Sequence, residues 1–365
     1  MQLNMKRRVA WLSIILAFGL VAAACGDDDD TASDGGSDTT AASGSGSDID
    51  FSVSGEITGS GSSFQDAYQQ AAIESFLEQA SDANITYNAV GSGTGKQEFG
   101  QDLTDYAGTD SLVGPDNGIA DGSFLYVPIT AAPITVSYNL SGVDELQLSP
   151  ETLANIFDRD ITKWNDPAIA EDNPDATLPD ADITVVHRSD GSGTTNRFTE
   201  FLTNAAPDDW TLGKGDTVAW AADTQAGEKN TGVAQLITST DGSIGYVDLS
   251  DADASSLAYA SIKNSSGEFV QPTVAGAAAA LAGTEVPDDL AIDPINADGA
   301  DAYPIVAPTF ILVRTSYSDT AKAALVKSYA QYLLTDGQAM LEDLGFAPLP
   351  DAISGPALDQ LDQVG

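Results

Sequence analysis

The chain has 365 residues, of which 42% are hydrophobic, so most of it can fold, and its length favours two domains over one core. Its 55 acidic residues against 14 basic ones give a formal charge of −41. This balance excludes binding to nucleic acid or to anionic lipid through protein charge, because both need a basic surface. The acidity itself is typical of a charge that keeps a protein soluble.

The first 24 residues predict a cleaved export signal. Basic residues 6–8 precede an apolar run from Val9 to Ala24, which is short for a transmembrane helix and ends in small residues. Cys25 follows and is the only cysteine, so we expect an acylated lipoprotein anchor there, with an incidental thiol behind an ordinary signal as the alternative. Residues 25–50 are mostly Asp, Gly, Ser, Thr and Ala and predict a disordered tether.

Two strand–turn–helix units open the globular part. The first has a Gly/Ser turn at residues 59–63, where Ser62 or Ser63 is the expected N-cap of the next helix. The second has a strand over residues 84–90, another Gly/Ser turn, and a helix from Lys96 to Leu103. Since the first N–H groups of a helix have no intrahelical partner, each turn can bind an anion.

The following elements alternate between strand and helix. Residues 106–110 predict a short strand that ends on an aspartate, and Leu125 to Leu140 predicts two short strands broken by Pro128 and Pro133. Gly232 to Thr238 predicts a helix. The alternation indicates an α/β fold.

A third Gly/Ser turn carries the only arginine found in these turns. The apolar strand at residues 183–186 leads through Arg188 to Thr194 into a helix marked by Phe198, Phe201 and Leu202. Glycines, hydroxyls, an arginine and a helix start together predict an anion site.

Enzymatic chemistry is not expected. His187 and Cys25 are the only histidine and cysteine, so no cofactor and no metal site of the usual ligand type is predicted. A Ser-His-Asp triad would have to use His187, whose neighbour Arg188 opposes the imidazolium that such a base forms. We therefore give His187 no role.

The turns and their order along the chain resemble those of a known protein family. The chain is similar to the substrate-binding proteins of phosphate ABC transporters, the PstS family, over roughly residues 57–350. The matching segments are GSGSSF (59–64), VGSGTG (90–95), YAGTD (106–110), ITKWNDP (161–167), RSDGSGT (188–194), GSIGYV (242–247) and TFILV (309–313). Each turn alone is weak evidence, but the ordered set is specific.

The resemblance implies both a fold and a site. The fold is α/β, two-lobed and of the type II periplasmic-binding-protein kind, with residues 51–133 and 307–365 in lobe 1 and residues 134–306 in lobe 2. The expected crossover strands lie near Ile134–Tyr138 and Ile305–Thr309, and ligand binding closes the lobes. The implied phosphate contacts are Ser63, Phe64, Ser92, Asp110, Arg188, Ser192, Gly193 and Thr194. Asp190 is expected to orient Arg188 by an ion pair.

The resemblance also implies partners and a location. The expected ligand is inorganic phosphate, as hydrogen phosphate, and the expected partners are the permease subunits of an ABC transporter. A monomer is expected, anchored through Cys25 to the outer face of the cell membrane. Two alternatives stay open, a receptor for another oxyanion such as sulfate, molybdate or arsenate, and a surface phosphate sensor or adhesin not coupled to transport. A secreted phosphatase is disfavoured by the missing metal ligands.

Asp110 offers a physical reason for choosing phosphate. A carboxylate only accepts hydrogen bonds, so it pairs with the P–O–H group of hydrogen phosphate. Sulfate at neutral pH has no proton to donate and leaves two acceptors facing each other, which a buried site rejects strongly.

Overall fold

The structure is a computed structural model that describes residues 49–365. The predicted signal, Cys25 and nearly all of the predicted tether lie outside the described residues. Within them, no helix is long and apolar enough to cross a membrane. The strands of the described part are β1 Gly55–Gly61, β2 Ala83–Ala89, β3 Tyr106–Thr109, β4 Phe124–Asn139, β5 Gln147–Leu148, β6 Thr184–Arg188, β7 Gln225–Gly227, β8 Ser243–Asp248, β9 Ala258–Tyr259, β10 Ser261–Lys263, β11 Phe269–Val270 and β12 Val306–Arg314. The α-helices are α1 Asp66–Gln79, α2 Ser92–Gly100, α3 Pro150–Phe157, α4 Pro167–Asp172, α5 Gly193–Ala205, α6 Lys229–Ser239, α7 Leu249–Ala254, α8 Val274–Ala282, α9 Thr320–Leu334 and α10 Asp351–Gln360.

One long sheet path runs through the molecule in the order β2-β1-β3-β12-β4-β8-β6-β7, with β9 also paired to β4. β1 is parallel to β2 and β3, and β6 is parallel to β7 and β8, whereas β4 is antiparallel to β8 and β12. A small sheet of β11, β10 and β5 lies apart from this path. Parallel strands followed by helices place the strand ends, and the turns after them, at one edge of a sheet.

The strand β4 belongs to both parts of this sheet. Its residues 124–133 pair with β12, and its residues 134–139 pair with β8. We name the body built on β1, β2, β3, β12 and residues 124–133 the first lobe, and the body built on residues 134–139, β6, β7 and β8 the second lobe. The fold is therefore the two-lobed periplasmic-binding-protein fold, while the residue boundaries predicted for the lobes remain a prediction.

The prediction that prolines break β4 into two strands is wrong. Pro128 lies opposite Phe310 beside a register irregularity, and Pro133 lies opposite Val306 at the end of that ladder. β12 is the only named strand that pairs with residues 124–133. A proline without an N–H is tolerated at such an edge or bulge, so the strand continues.

Aromatic packing holds the helices in place in both lobes. In the first lobe, the Phe76 ring of α1 lies 5.5 and 5.6 Å from the Tyr332 and Tyr329 rings of α9. In the second lobe, the Phe198 ring of α5 stacks on Tyr246 of β8 at 4.4 Å. Burial of such rings stabilises each helix by several kcal/mol, about 3–5 kcal/mol for a buried Phe. This packing fixes the helix starts from which the site is built.

Candidate functional site

Two glycines of the first lobe fix the turns that precede its helices. Gly61 has φ +145°, and a Cβ there would lie 2.0 Å from the Gly108 carbonyl oxygen, so β1 and β3 approach too closely for any side chain. Gly91 has φ +87° and precedes α2, which begins at Ser92, four residues before the predicted start at Lys96. Ser92 is therefore the first helical residue and not a loop residue.

The expected N-cap of α1 differs from the observed one. The N-cap is Gln65, which makes no side-chain capping bond, and the Ser62 hydroxyl instead accepts the Phe64 N–H at 3.0 Å. Ser63 Oγ is buried and has no hydrogen-bond partner among the described residues. A buried hydroxyl without a partner is costly, so this oxygen is suited to bind a ligand atom.

Asp110 lies at the centre of the first-lobe turns. Its Oδ2 accepts from Ser62 Oγ at 2.6 Å and from Ser92 Oγ at 3.3 Å, and its Oδ1 accepts from Thr309 Oγ1 at 2.7 Å. Burial raises the pKa of Asp110 to about 6, although these hydroxyls and the charge of Arg188 lower it. Asp110 is thus a buried acceptor surrounded by hydroxyl donors.

The second-lobe turn presents Arg188 in a fixed orientation. Arg188 ends β6, and its Nε and Nη2 donate to the two oxygens of Asp190, which is the ion pair that the sequence predicts. Burial opposes ionisation of Asp190, but its bonds to Arg188 and to the Lys229 N–H outweigh burial and hold its pKa below the usual value. The Thr194 hydroxyl lies 3.5 Å from Arg188 Nη1.

The same turn starts α5. Ser192 is the N-cap, and its Oγ accepts the Thr195 N–H at 3.1 Å. The N–H groups of Gly193 and Thr194 are the first two of the helix and have no intrahelical partner. They add donors and a partial positive charge to the guanidinium.

The structure brings the two sets of turns together. Gly93 N donates to the Gly191 carbonyl at 3.0 Å, which joins the two lobes. A Cβ on Gly193 would lie 2.6 Å from Ser92 Oγ and 2.7 Å from Asp110 Oδ2, so only glycine allows this approach. The predicted residues of both lobes therefore form one cluster, in which donors from helix starts and Arg188 surround the acceptor Asp110.

Two basic residues that sequence reasoning missed link the lobes beside this cluster. Lys96 of α2 pairs with Asp216 of the second lobe at 2.9 Å, and Arg197 Nε of α5 donates to the Asp110 main-chain oxygen at 2.6 Å. Asp216 also accepts the Ser192 N–H through its own main-chain oxygen at 2.9 Å. Lys96 and Arg197 are each only 2% exposed, so both contacts are shielded from water.

Other partners of the cluster were also missed. Thr309 and Asn230 are fully buried and contact Asp110 and Arg188, yet each comes from a distant element. The only available signal was the position of Thr309 in a segment shared with the family. His187 stacks on Trp220, and burial lowers its pKa. The described residues contain no group of three side chains that could hold a metal ion.

Comparison with known proteins identifies the family. A model of the PBP superfamily domain matches residues 36–337. The phosphate-binding protein PstS3 of Mycobacterium bovis is 34% identical, with 96% of each chain covered. The chain belongs to the PstS family. The phosphate-binding protein PstS of Pasteurella multocida is another relative, 35% identical over 81% of this chain and 87% of its own.

Solved structures agree with the PstS fold. A high-affinity periplasmic phosphate-binding protein, PfluDING, solved with bound phosphate, has a TM-score of 0.68 at 22% identity and covers 82% of this chain and 92% of its own. A phosphate-binding protein from Stenotrophomonas maltophilia has a TM-score of 0.63 at 22% identity, with 84% and 94% covered. The predicted family and the predicted two-lobed fold are confirmed.

Proposed function

We propose that this chain captures inorganic phosphate, as hydrogen phosphate, outside the cytoplasm and delivers it to the permease subunits of an ABC transporter. Membership of the PstS family supports the ligand and the transport role. The observation that carries the proposal is one buried acceptor, Asp110, placed among many donors. That arrangement suits a tetrahedral oxyanion with one proton.

The proposed contacts come from both lobes. Arg188 uses three of its five N–H groups on Asp190 and Asn230, and the second N–H of Nη1 makes only a long contact of 3.5 Å with Thr194 Oγ1. One N–H on Nη1 and one on Nη2 can therefore turn to the anion. Hydroxyls and the first N–H groups of α5 supply further donors, and charge-assisted bonds of this kind are the strong ones. The full proposed set is Ser63, Phe64, Ser92, Asp110, Arg188, Ser192, Gly193 and Thr194.

Besides the Ser92 hydroxyl, which donates to Asp110, Phe64 needs a rearrangement to contact the anion. Its N–H donates to Ser62 Oγ at 3.0 Å, and Ser62 in turn donates to Asp110. We propose that this N–H turns to the anion when phosphate binds, while Ser62 keeps its bond to the carboxylate. Asp110 then accepts the P–O–H proton, for which sulfate has no equivalent.

Lobe closure and anchoring complete the proposal. Ligand binding favours the closed arrangement, in which Lys96 reaches Asp216, and both lobes then face the permease. The protein acts as a monomeric receptor without catalysis, and an acylated Cys25 holds it at the outer face of the cell membrane. The predicted lobe division, residues 51–133 with 307–365 and residues 134–306, is part of this proposal.

Calorimetric titration of the purified full chain tests the ligand. At pH 8 we expect one phosphate to bind per chain and no measurable heat of binding for sulfate at matched concentration. Equal affinity for both anions contradicts the role of Asp110, and binding of sulfate or molybdate alone supports another oxyanion receptor. Phosphate uptake by cells that lack this chain then separates a transport receptor from a sensor or adhesin.

A further inference from the structure

Arg188 contacts a second acceptor besides Asp190. Its Nη1 donates to Asn230 Oδ1 at 2.7 Å, and Asn230 is fully buried at the start of α6. The Asn230 Nδ2 donates in turn to Asp248 Oδ2 at 2.7 Å. Asp248, at the end of β8, is also fully buried, so a chain of buried side chains runs from Arg188 into the second lobe.

Asp248 fixes which way the Asn230 amide points. A carboxylate offers only acceptors, so it must face the amide nitrogen, and the amide oxygen is then turned toward Arg188. The other oxygen of Asp248 accepts the Asp251 N–H at 3.0 Å and the Ser250 hydroxyl, as the N-cap of α7. The carboxylate therefore cannot turn away without losing a helix cap.

The backbone at the start of α6 supports the same arrangement. Lys229 has φ +60°, a left-handed conformation that is unfavourable for a residue with a side chain. Its N–H donates to Asp190 Oδ1 at 3.0 Å. Strain is thus tolerated where it places one residue against Asp190 and the next against Arg188.

The geometry points to Asn230 and Asp248 as positioning residues for the ligand-binding arginine. With Asp190 on one side and Asn230 on the other, the guanidinium is held at three N–H groups. The remaining N–H on Nη1, which makes only a long contact of 3.5 Å with Thr194 Oγ1, and the remaining N–H on Nη2 stay available. We infer that this clamp presents those two N–H groups to two oxygens of the anion. The inference deepens the proposed function and rests on it.

The Asp248→Asn substitution tests the clamp at nearly constant volume. Its amide keeps an oxygen toward Ser250 and the α7 N–H groups and so turns a nitrogen toward Asn230. Asn230 must then flip and present its own nitrogen to Arg188, which places donors against donors. We expect phosphate affinity, measured by calorimetry on the full chain, to fall about tenfold or more.

The double variant Asn230→Asp/Asp248→Asn exchanges the two groups and restores complementarity. The carboxylate at residue 230 accepts from Arg188 and from residue 248. The amide at residue 248 donates its N–H to that carboxylate and caps α7 with its oxygen. We expect this exchange to recover most of the lost affinity, which a merely structural role of Asp248 would not produce. The Ser250→Ala variant is the matched control, because it removes a bond to the same carboxylate without touching Asn230, and it should bind within about twofold of wild type.

Each outcome decides the inference. Wild-type affinity in Asp248→Asn, or an exchange variant no better than that single variant, overturns the clamp. Should Asp248→Asn fail to fold, Asn230→Ala reports on the same contact, and unchanged affinity there also overturns it. A wild-type chain that binds no phosphate rejects the proposed function instead, and the two failures are thereby distinguished.

Discussion

Selectivity against sulfate should depend on pH through Asp110. Above its pKa of about 6 the carboxylate is ionised and faces a sulfate oxygen as a second acceptor. Below that pH it carries a proton and donates to the same oxygen. We therefore expect sulfate to bind together with one proton on Asp110.

The size of the effect follows from the protonated fraction. Sulfate affinity should rise about tenfold between pH 8 and pH 7 and about fivefold between pH 7 and pH 6, and it should level off below pH 6. With a pKa of about 6 the total gain from pH 8 to pH 6 is about fiftyfold. Displacement of sulfate by phosphate, followed by calorimetry across pH 5.5–8, measures it.

The Asp110→Asn variant is the reference for this titration. Its amide donates at every pH, so its sulfate affinity should be high and flat where that of wild type changes. A wild-type affinity that does not change between pH 8 and pH 5.5 refutes the reasoning. A variant that keeps the wild-type slope does so as well, because another group then carries the proton.

The free energy of unfolding of the ligand-free protein should depend on pH through the same protonation of Asp110. The pKa of Asp110 in the folded chain, about 6, exceeds its usual value of 3.8 because the carboxylate is buried, so folding favours the protonated form. The stabilisation is complete below about pH 4 and is lost as pH rises through about 6. The free energy of unfolding of wild type relative to Asp110→Asn should therefore fall by about 2 kcal/mol between pH 4 and pH 7. A difference between the two proteins that does not change with pH, in chemical denaturation, contradicts the burial argument.

Three further predictions concern charge. The Lys96→Met variant loses the pair between buried Lys96 and half-buried Asp216, which forms only when the lobes meet, so phosphate should bind about tenfold more weakly by calorimetry. The control Lys163→Met removes pairs between exposed groups and should bind as wild type does, and equal losses in both variants would contradict a role in closure. Arg188→Lys keeps a charge but loses the fork that grips Asp190, and we expect about a hundredfold loss of affinity, which a loss below about fivefold would refute. Raising salt from 0.1 to 1 M should change wild-type phosphate affinity only a little, and a large loss would show that surface charge matters.

The sequence identifies the segments of the site better than their bonds. A cluster of glycines and hydroxyl residues before a helix is a pattern of neighbouring residues, so the turns around Ser92, Asp110 and Arg188 could be predicted from the local sequence. Ser62 and Ser63 look alike in sequence, and only the tertiary packing of Asp110 shows which hydroxyl bonds to the carboxylate. Thr309 reaches Asp110 from 199 residues away, a pairing that no local pattern contains.

Other site residues could not be predicted because the boundaries of the elements differ from those that the sequence predicts. The helix predicted at residues 232–238 begins at Lys229 in the structure. Lys229 has a left-handed backbone conformation, which helix propensity does not predict. The predicted helix leaves out Asn230, and no local pattern in the sequence marks its contact with Arg188. Asp216 lies in a loop without secondary structure, and its pairing with Lys96 depends on how the lobes meet.

The distribution of charge explains how so acidic a chain can hold a dianion. Lys96, Arg188 and Arg197 are the only lysines or arginines that are buried in the described part of the chain, and each is paired with an acidic side chain, Asp216, Asp190 and Glu200 respectively. With Asp110 added, the site carries no excess positive charge before the anion arrives. Net attraction therefore cannot provide the affinity, and oriented donors from helix starts, hydroxyls and the clamped guanidinium must provide it at contact distance. Such donors act inside about one Debye length of roughly 8 Å, beyond which the acidic surface is screened. Acidity of the surface and anion capture in the cleft are thus separate properties of this chain.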